Sequence, residues 1–215
     1  MMKAPEEARD YFVRAAAKQP NLVSVREQIL RIDFQLLDKQ NAREHARNLL
    51  RLDRLNGFAN YVLGSLAIDG MAYDEAEAYL RRSIDAGPNV ANLNDLAVVL
   101  IHKRQYEEAA VRVKQAMEAD STVGAVWDTL ALIQMHDGKL DEAEASLSQS
   151  IKLDPEDLRT HMHLADVMYR KGNLLRASEL VRFVAEEAHT LPRDDLENFD
   201  RLHVAVLGVK YTRKH

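Results

Sequence analysis

Along residues 124–157 the apolar positions recur at helical spacing. Ala143, Leu147, Ser150 and Ile151 stand at i, i+4, i+7 and i+8, while Glu142, Glu144 and Lys152 fall elsewhere on the wheel, which predicts an amphipathic helix. Trp127, Leu130, Ala131 and Met135 repeat the pattern upstream. Between the two runs lies Asp137-Gly138-Lys139, where glycine can take the left-handed conformation that ends one helix and admits another. Asp154-Pro155 stops the second run, because proline disfavours helical geometry in the residue before it. The stretch predicts a hairpin of two helices.

The same hairpin is legible along most of the chain. Ala8, Ala42, Ala76, Ala109, Ala143 and Ala177 form one column, stepping by 34 residues apart from a single step of 33. Leu63, Leu96, Leu130 and Leu164, with Ile29, form a second column. The position after them carries Gly64, Ala97, Ala131 and Ala165, with Leu30 as the misfit. Phe12, Ala46, Leu80, Val113, Leu147 and Val181 form another, and Pro20, Pro88 and Pro155 another. A 34-residue period with a bulky residue, a Leu-Ala/Gly pair, a small residue in the second helix and a closing proline resembles the tetratricopeptide repeat over almost the whole chain. The phasing gives five units, 23–56, 57–89, 90–123, 124–157 and 158–191. Arg26 replaces the bulky residue and Arg54 the proline of the first unit; Asn60 and His161 replace the bulky residue, and Ser121 and His189 the proline, of later ones.

The resemblance implies an all-α fold, a right-handed α-solenoid of stacked antiparallel helix pairs whose inner surface is lined by the first helix of each pair. A partner-binding lining then follows from the solvent-facing side of those helices. The second unit contributes Phe58, Tyr61, Ser65, Ile68 and Asp69; the third Asn94, Asp95, Val98 and His102; the fourth Asp128, Thr129, Leu132 and His136; the fifth Arg159, Met162, His163, Asp166 and Arg170. Arg31, Phe34 and Gln35 extend it to the first unit. Amides and apolar residues interspersed with charge suit an extended peptide or a single helix, so the expected function is a non-enzymatic interaction scaffold. The lysine and arginine clamp that some members of the family close on a terminal carboxylate has no counterpart here. The centre of the lining is acidic, which favours a neutral or basic guest.

Residues 1–22 are in register with the second helix of a unit and read as a half-repeat, with Ala8 and Phe12 on its hairpin-facing side. The expectation from this is a domain cut from a longer repeat protein. Two rival readings are self-association through that half-repeat and service as the docking domain of an enzyme whose catalytic part lies elsewhere. Residues 192–208 predict a closing helix with Leu196, Phe199, Leu202 and Val206 as one apolar stripe, and 209–215 a tail.

Composition narrows the chemistry. Residues 1–104 hold 15 basic against 14 acidic side chains, and residues 105–215 hold 14 against 20, for a net charge of −5. Neither part is a polybasic stripe; the one basic cluster is Lys210, Arg213 and Lys214, so no nucleic-acid partner is expected. Without cysteine there are no disulfides, thiolate metal sites or cysteine nucleophiles. No signal core or membrane-length apolar run occurs, so membrane insertion is not expected and this segment reads as cytoplasmic by default. His102, His136, His163 and Asp166 could in principle meet around a metal ion, and Asp95 with Asp128 could act as a carboxylate pair. The expected state of these groups is solvated, with no metal, no cofactor and no catalytic residue. Glycine-rich phosphate loops and nucleophile elbows are missing.

Overall fold

A computed structural model describes residues 3–211; Arg213 and Lys214 of the basic cluster lie outside it. Among the described residues there is no strand. The fold is all-α, in two compact units, one up to Arg112 and one from Val113 on.

The first unit contains α1 (Lys3–Lys18), α2 (Val23–Gln35), α3 (Lys39–Leu52), α4 (Gly57–Asp69), α5 (Tyr73–Ala86) and α6 (Val90–His102). Helices consecutive in sequence pack on one another, and α2 also meets α4. Their core joins Leu30, Ala42, Ala46, Leu49, Ala59, Val62, Leu63 and Leu66. Gly64 sits so close to α5 that a Cβ there would stand 2.7 Å from Leu80 Cγ. Alanine serves at the same position elsewhere in the repeat, but here the approach requires glycine. α1 packs on α2, with Ala8 and Phe12 half-buried. It is tied down by Arg9, whose Nε lies 2.5 Å from the fully buried carboxylate of Asp33. The other oxygen of Asp33 meets His45 Nδ1.

α7 (Tyr106–Ala119) leads into the second unit, which holds α8 (Gly124–His136), α9 (Leu140–Leu153), α10 (Leu158–Arg170), α11 (Leu174–Glu187) and α12 (Arg193–Leu207). Its core gathers Ala131, Ala143, Leu147, Leu164, Ala165, Ala177 and Val181, and α12 closes on it through the fully buried Phe199 and through Leu202. Gly208, at φ 74°, ends α12. The chain beyond turns back so that Val209 O accepts from His203 at 2.7 Å and Tyr211 packs against Phe199.

Two backbone devices recur. Each hairpin turn closes by a hydrogen bond to the carbonyl five residues back: Asp38 to Asp33, Ala72 to Ala67, Gln105 to Leu100, Lys139 to Gln134 and Asn173 to Met168, all 2.8–3.0 Å. The geometry puts the preceding residue in the left-handed region. Gly138 and Gly172 occupy it freely, whereas Leu37, Met71 and Arg104 occupy it with a side chain. The second device accounts for two of the misfits in the bulky column, Arg26 and Asn60. Arg26 Nε donates to Pro20 O at 2.5 Å, Trp127 Nε1 to Ser121 O at 2.8 Å, and Asn60 Nδ2 to Arg54 O at 3.4 Å. In the repeat these acceptors are one and the same position. In these three repeats the column supplies an N–H that ties down the turn before the first helix, whereas Leu93 has none to give and His161 Nδ1 bonds to Asp157 O at 2.9 Å.

Candidate functional site

In the first unit the first helices α2 and α4 bring three aromatic rings together. Phe34, Phe58 and Tyr61 have centroids 5.8–6.3 Å apart, and all three are half-exposed. Arg31 lays its guanidinium 4.1 Å above the Phe58 ring. Glu27 holds that guanidinium at 2.6 Å and accepts from Asn56 Nδ2 at 3.0 Å. Burial pushes the Glu27 carboxyl upward, but the bonds from Asn56 and Arg31 outweigh it and leave its pKa below the usual value. Burial, followed by the charge and hydrogen bond of Asp95, raises the pKa of Tyr61, so its hydroxyl stays a donor to Asp95. Beside the rings a cavity of about 330 Å3 is lined by Phe34, Leu37, Lys39, Ser65, Leu66 and Asp69, with Lys39 and Asp69 paired at 2.9 Å across its rim.

One repeat further on, Asn94 is 9% exposed and its Oδ1 has no hydrogen-bond partner, while Val98 is half-buried. The exposed His102 stacks on Tyr73, with ring centroids 4.5 Å apart.

In the second unit His163 Nδ1 on α10 bonds to Asp128 Oδ1 on α8 at 2.8 Å. Burial alone would lower the His163 pKa. Asp128, by charge and hydrogen bond, with Asp195 and Asp157 adding their fields, raises it instead. Asp166 pairs with Arg170 at 2.6 Å, Arg159 with Asp157 at 3.6 Å, and His136 is exposed.

Three of the expected lining residues are not solvent-facing. Thr129 is 2% exposed, one step round α8 from Asp128, and its hydroxyl donates to the Ala125 carbonyl at 2.9 Å. Met162 is 4% exposed, its thioether packed into the core of the second unit. Asn94 is nearly covered in the same way. Among the described residues no group of three or more histidine or acidic side chains could hold a metal ion. Asp95 bonds to Tyr61 and Asp128 to His163. Nor is any helix among them long and apolar enough to cross a membrane. The residues missed by sequence reasoning are Glu27 and Asn56, which fix Arg31. Their signal, an i, i+4 Glu–Arg pair and an Asn at a helix start, is common to many exposed helices.

Residues 31–91 and 129–182, together more than half of the chain, match the tetratricopeptide repeat family. The chain belongs to that family. No curated protein matches the sequence. Among solved structures this tetratricopeptide repeat chain is similar to YrrB, described as a TPR protein with an unusual peptide-binding site, at 18% identity and a TM-score of 0.62 over 92% of this chain and 96% of that one. It is similar also to a chain of the APC/C hetero-tetramer Cut9-Hcn1, at 19% identity and a TM-score of 0.74 over 91% of this chain and 39% of that one. A third is PilW, a widely conserved type IV pilus biogenesis factor, at 15% identity and a TM-score of 0.69 over 90% and 89%. Identities this low establish the shared fold alone.

Proposed function

We propose that the chain is a non-enzymatic interaction scaffold whose first helices hold an extended peptide or a single helix of a partner protein. The observation that carries this reading is the half-exposed cluster of Phe34, Phe58 and Tyr61, fixed in place by the Glu27–Arg31 and Tyr61–Asp95 bonds. Rigid aromatic rings with a polar rim lose little entropy on binding and dominate binding energy where they are covered. The family supports a protein partner, and the Asp95 carboxylate beside Tyr61 favours a neutral or basic one. Selection of random peptides on the immobilised protein tests it. Chosen peptides should lose at least about tenfold in affinity for Phe58→Ala/Tyr61→Ala protein of unchanged helicity. Undiminished affinity would remove the aromatic cluster from the reading.

A second reading, self-association through α1, is favoured by Tyr11 and Val13, 68% and 42% exposed. A cavity of about 270 Å3 lined by Val13, Ala16, Ala17, Pro20, Arg26 and Ile29 also lies on that helix. Light scattering should then show a dimer that Val13→Glu dissociates, and a monomeric wild type would dispose of it.

A further inference from the structure

Three departures from the repeat converge on one cavity, away from the aromatic cluster. The turns that close the units read Pro88-Asn89, Ser121-Thr122 and Pro155-Glu156, but the first reads Arg54-Leu55. At the bulky position that holds Leu93 and Trp127 in other repeats, the repeat 57–89 has Asn60. These residues meet in the first unit, where Arg54, Leu55 and Asn60 line a cavity of about 500 Å3 together with Leu50 of α3 and Tyr79 and Arg82 of α5. That volume is within the range of ligand-holding clefts.

The chemistry of the lining is not that of a solvated turn. Leu55, at a position that is polar in the other turns, is 75% exposed. Arg54 and Arg82 are exposed, come from different elements and have no carboxylate partner among the described residues. Arg82 instead lies 5.7 Å from the Tyr79 ring. Asn60 is fully buried; its Nδ2 donates to the carbonyls of Asn56 and Arg54, so the unpartnered atom is Oδ1. Arginine on the neighbouring α5 position shows the contrast, because Arg81 is bound by both Glu77 and Glu108.

We propose that this cavity is a second docking site, which takes an acidic segment of a partner protein with an apolar side chain seated on Leu50, Leu55 and Tyr79 and its carboxylates on Arg54 and Arg82. Two unpaired guanidiniums select carboxylates in a planar, bidentate manner, and the apolar residues that share the lining with them select against a purely acidic chain. The guest is thus of opposite charge preference to the one proposed for the aromatic cluster, so the two sites discriminate between partners or between two segments of one partner.

Fluorescence anisotropy of a fluorescein-labelled peptide with alternating glutamate and leucine tests this on the full chain. Saturable binding that weakens with salt is expected, with loss of at least about tenfold in affinity in the Arg54→Pro/Leu55→Asn protein, which restores the turn of the other repeats, and in Arg82→Gln. Arg82 is exposed, so the second variant retains its helicity if the first does not fold. The proposal is overturned if the peptide does not bind, if a control with glutamine in place of glutamate binds equally, or if a folded variant binds as the wild type does. It is overturned equally if affinity falls only in the Phe58→Ala/Tyr61→Ala protein.

Discussion

Leu37 and Met71 each sit at φ 56°, in the turn position where Gly138 and Gly172 stand in later hairpins. The left-handed region costs a residue with a Cβ about 1–2 kcal/mol, and the greater freedom of glycine in the unfolded chain offsets about 0.5–1 kcal/mol of what a substitution would recover. Leu37 is 79% exposed and Met71 54%, so little buried surface is lost with either side chain. Leu37→Gly and Met71→Gly are therefore each expected to stabilise the protein by about 0.5–1 kcal/mol, read as a higher urea midpoint at unchanged slope. An unchanged or lower midpoint would mean that these side chains contribute more to the turn than their exposure indicates. The left-handed conformation at Gly138 was legible from glycine itself. At Leu37, Met71 and Arg104 it was not, because there the turn is set by the bond between flanking backbone groups, which leaves no mark on residue type.

At the scale of elements the alanine column was a sound guide: Ala42, Ala76, Ala109, Ala143 and Ala177 are at most 1% exposed. Their small side chains let paired helices approach, and the 34-residue spacing preserves that fit. The solvent-facing side of the first helices was legible only to within one helical step. Phe58 and Tyr61 are half-exposed as expected, but Thr129 lies about 100° from Asp128 and turns inward. Pairings across helices, such as Asp128 with His163, depend on how α8 and α10 are set against each other, which periodicity does not specify. That pair makes stability depend on pH. Since the folded His163 pKa is raised above the ordinary 6.5, its contribution is complete below that value and is lost as pH rises through the folded value. Raising the pH from about 5.5 to about 8.5 should lower the urea midpoint more in the wild type than in Asp128→Asn, where the raising charge is gone. Parallel pH profiles for the two proteins would show that the Asp128 carboxylate does not set the charge state of His163.

At the scale of the whole molecule, one apolar cluster lies within residues 30–66 of the first unit and another within residues 131–202 of the second. In repeat proteins stability is close to a sum of local terms, so a lesion in one cluster is felt first where it is made. Leu49 is fully buried in the first cluster, and truncating it to alanine should cost about 2–5 kcal/mol there. Trp127, the single tryptophan, reports on the other unit, because it is half-buried on α8 with its indole N–H on the Ser121 carbonyl. In Leu49→Ala protein, helical circular dichroism should therefore begin to fall at lower urea than Trp127 fluorescence changes, whereas Leu147→Ala, in the second cluster, should bring the fluorescence change forward. Probes that coincide in both variants would show that the two clusters unfold as one, and a partner held on either unit would then stabilise both equally.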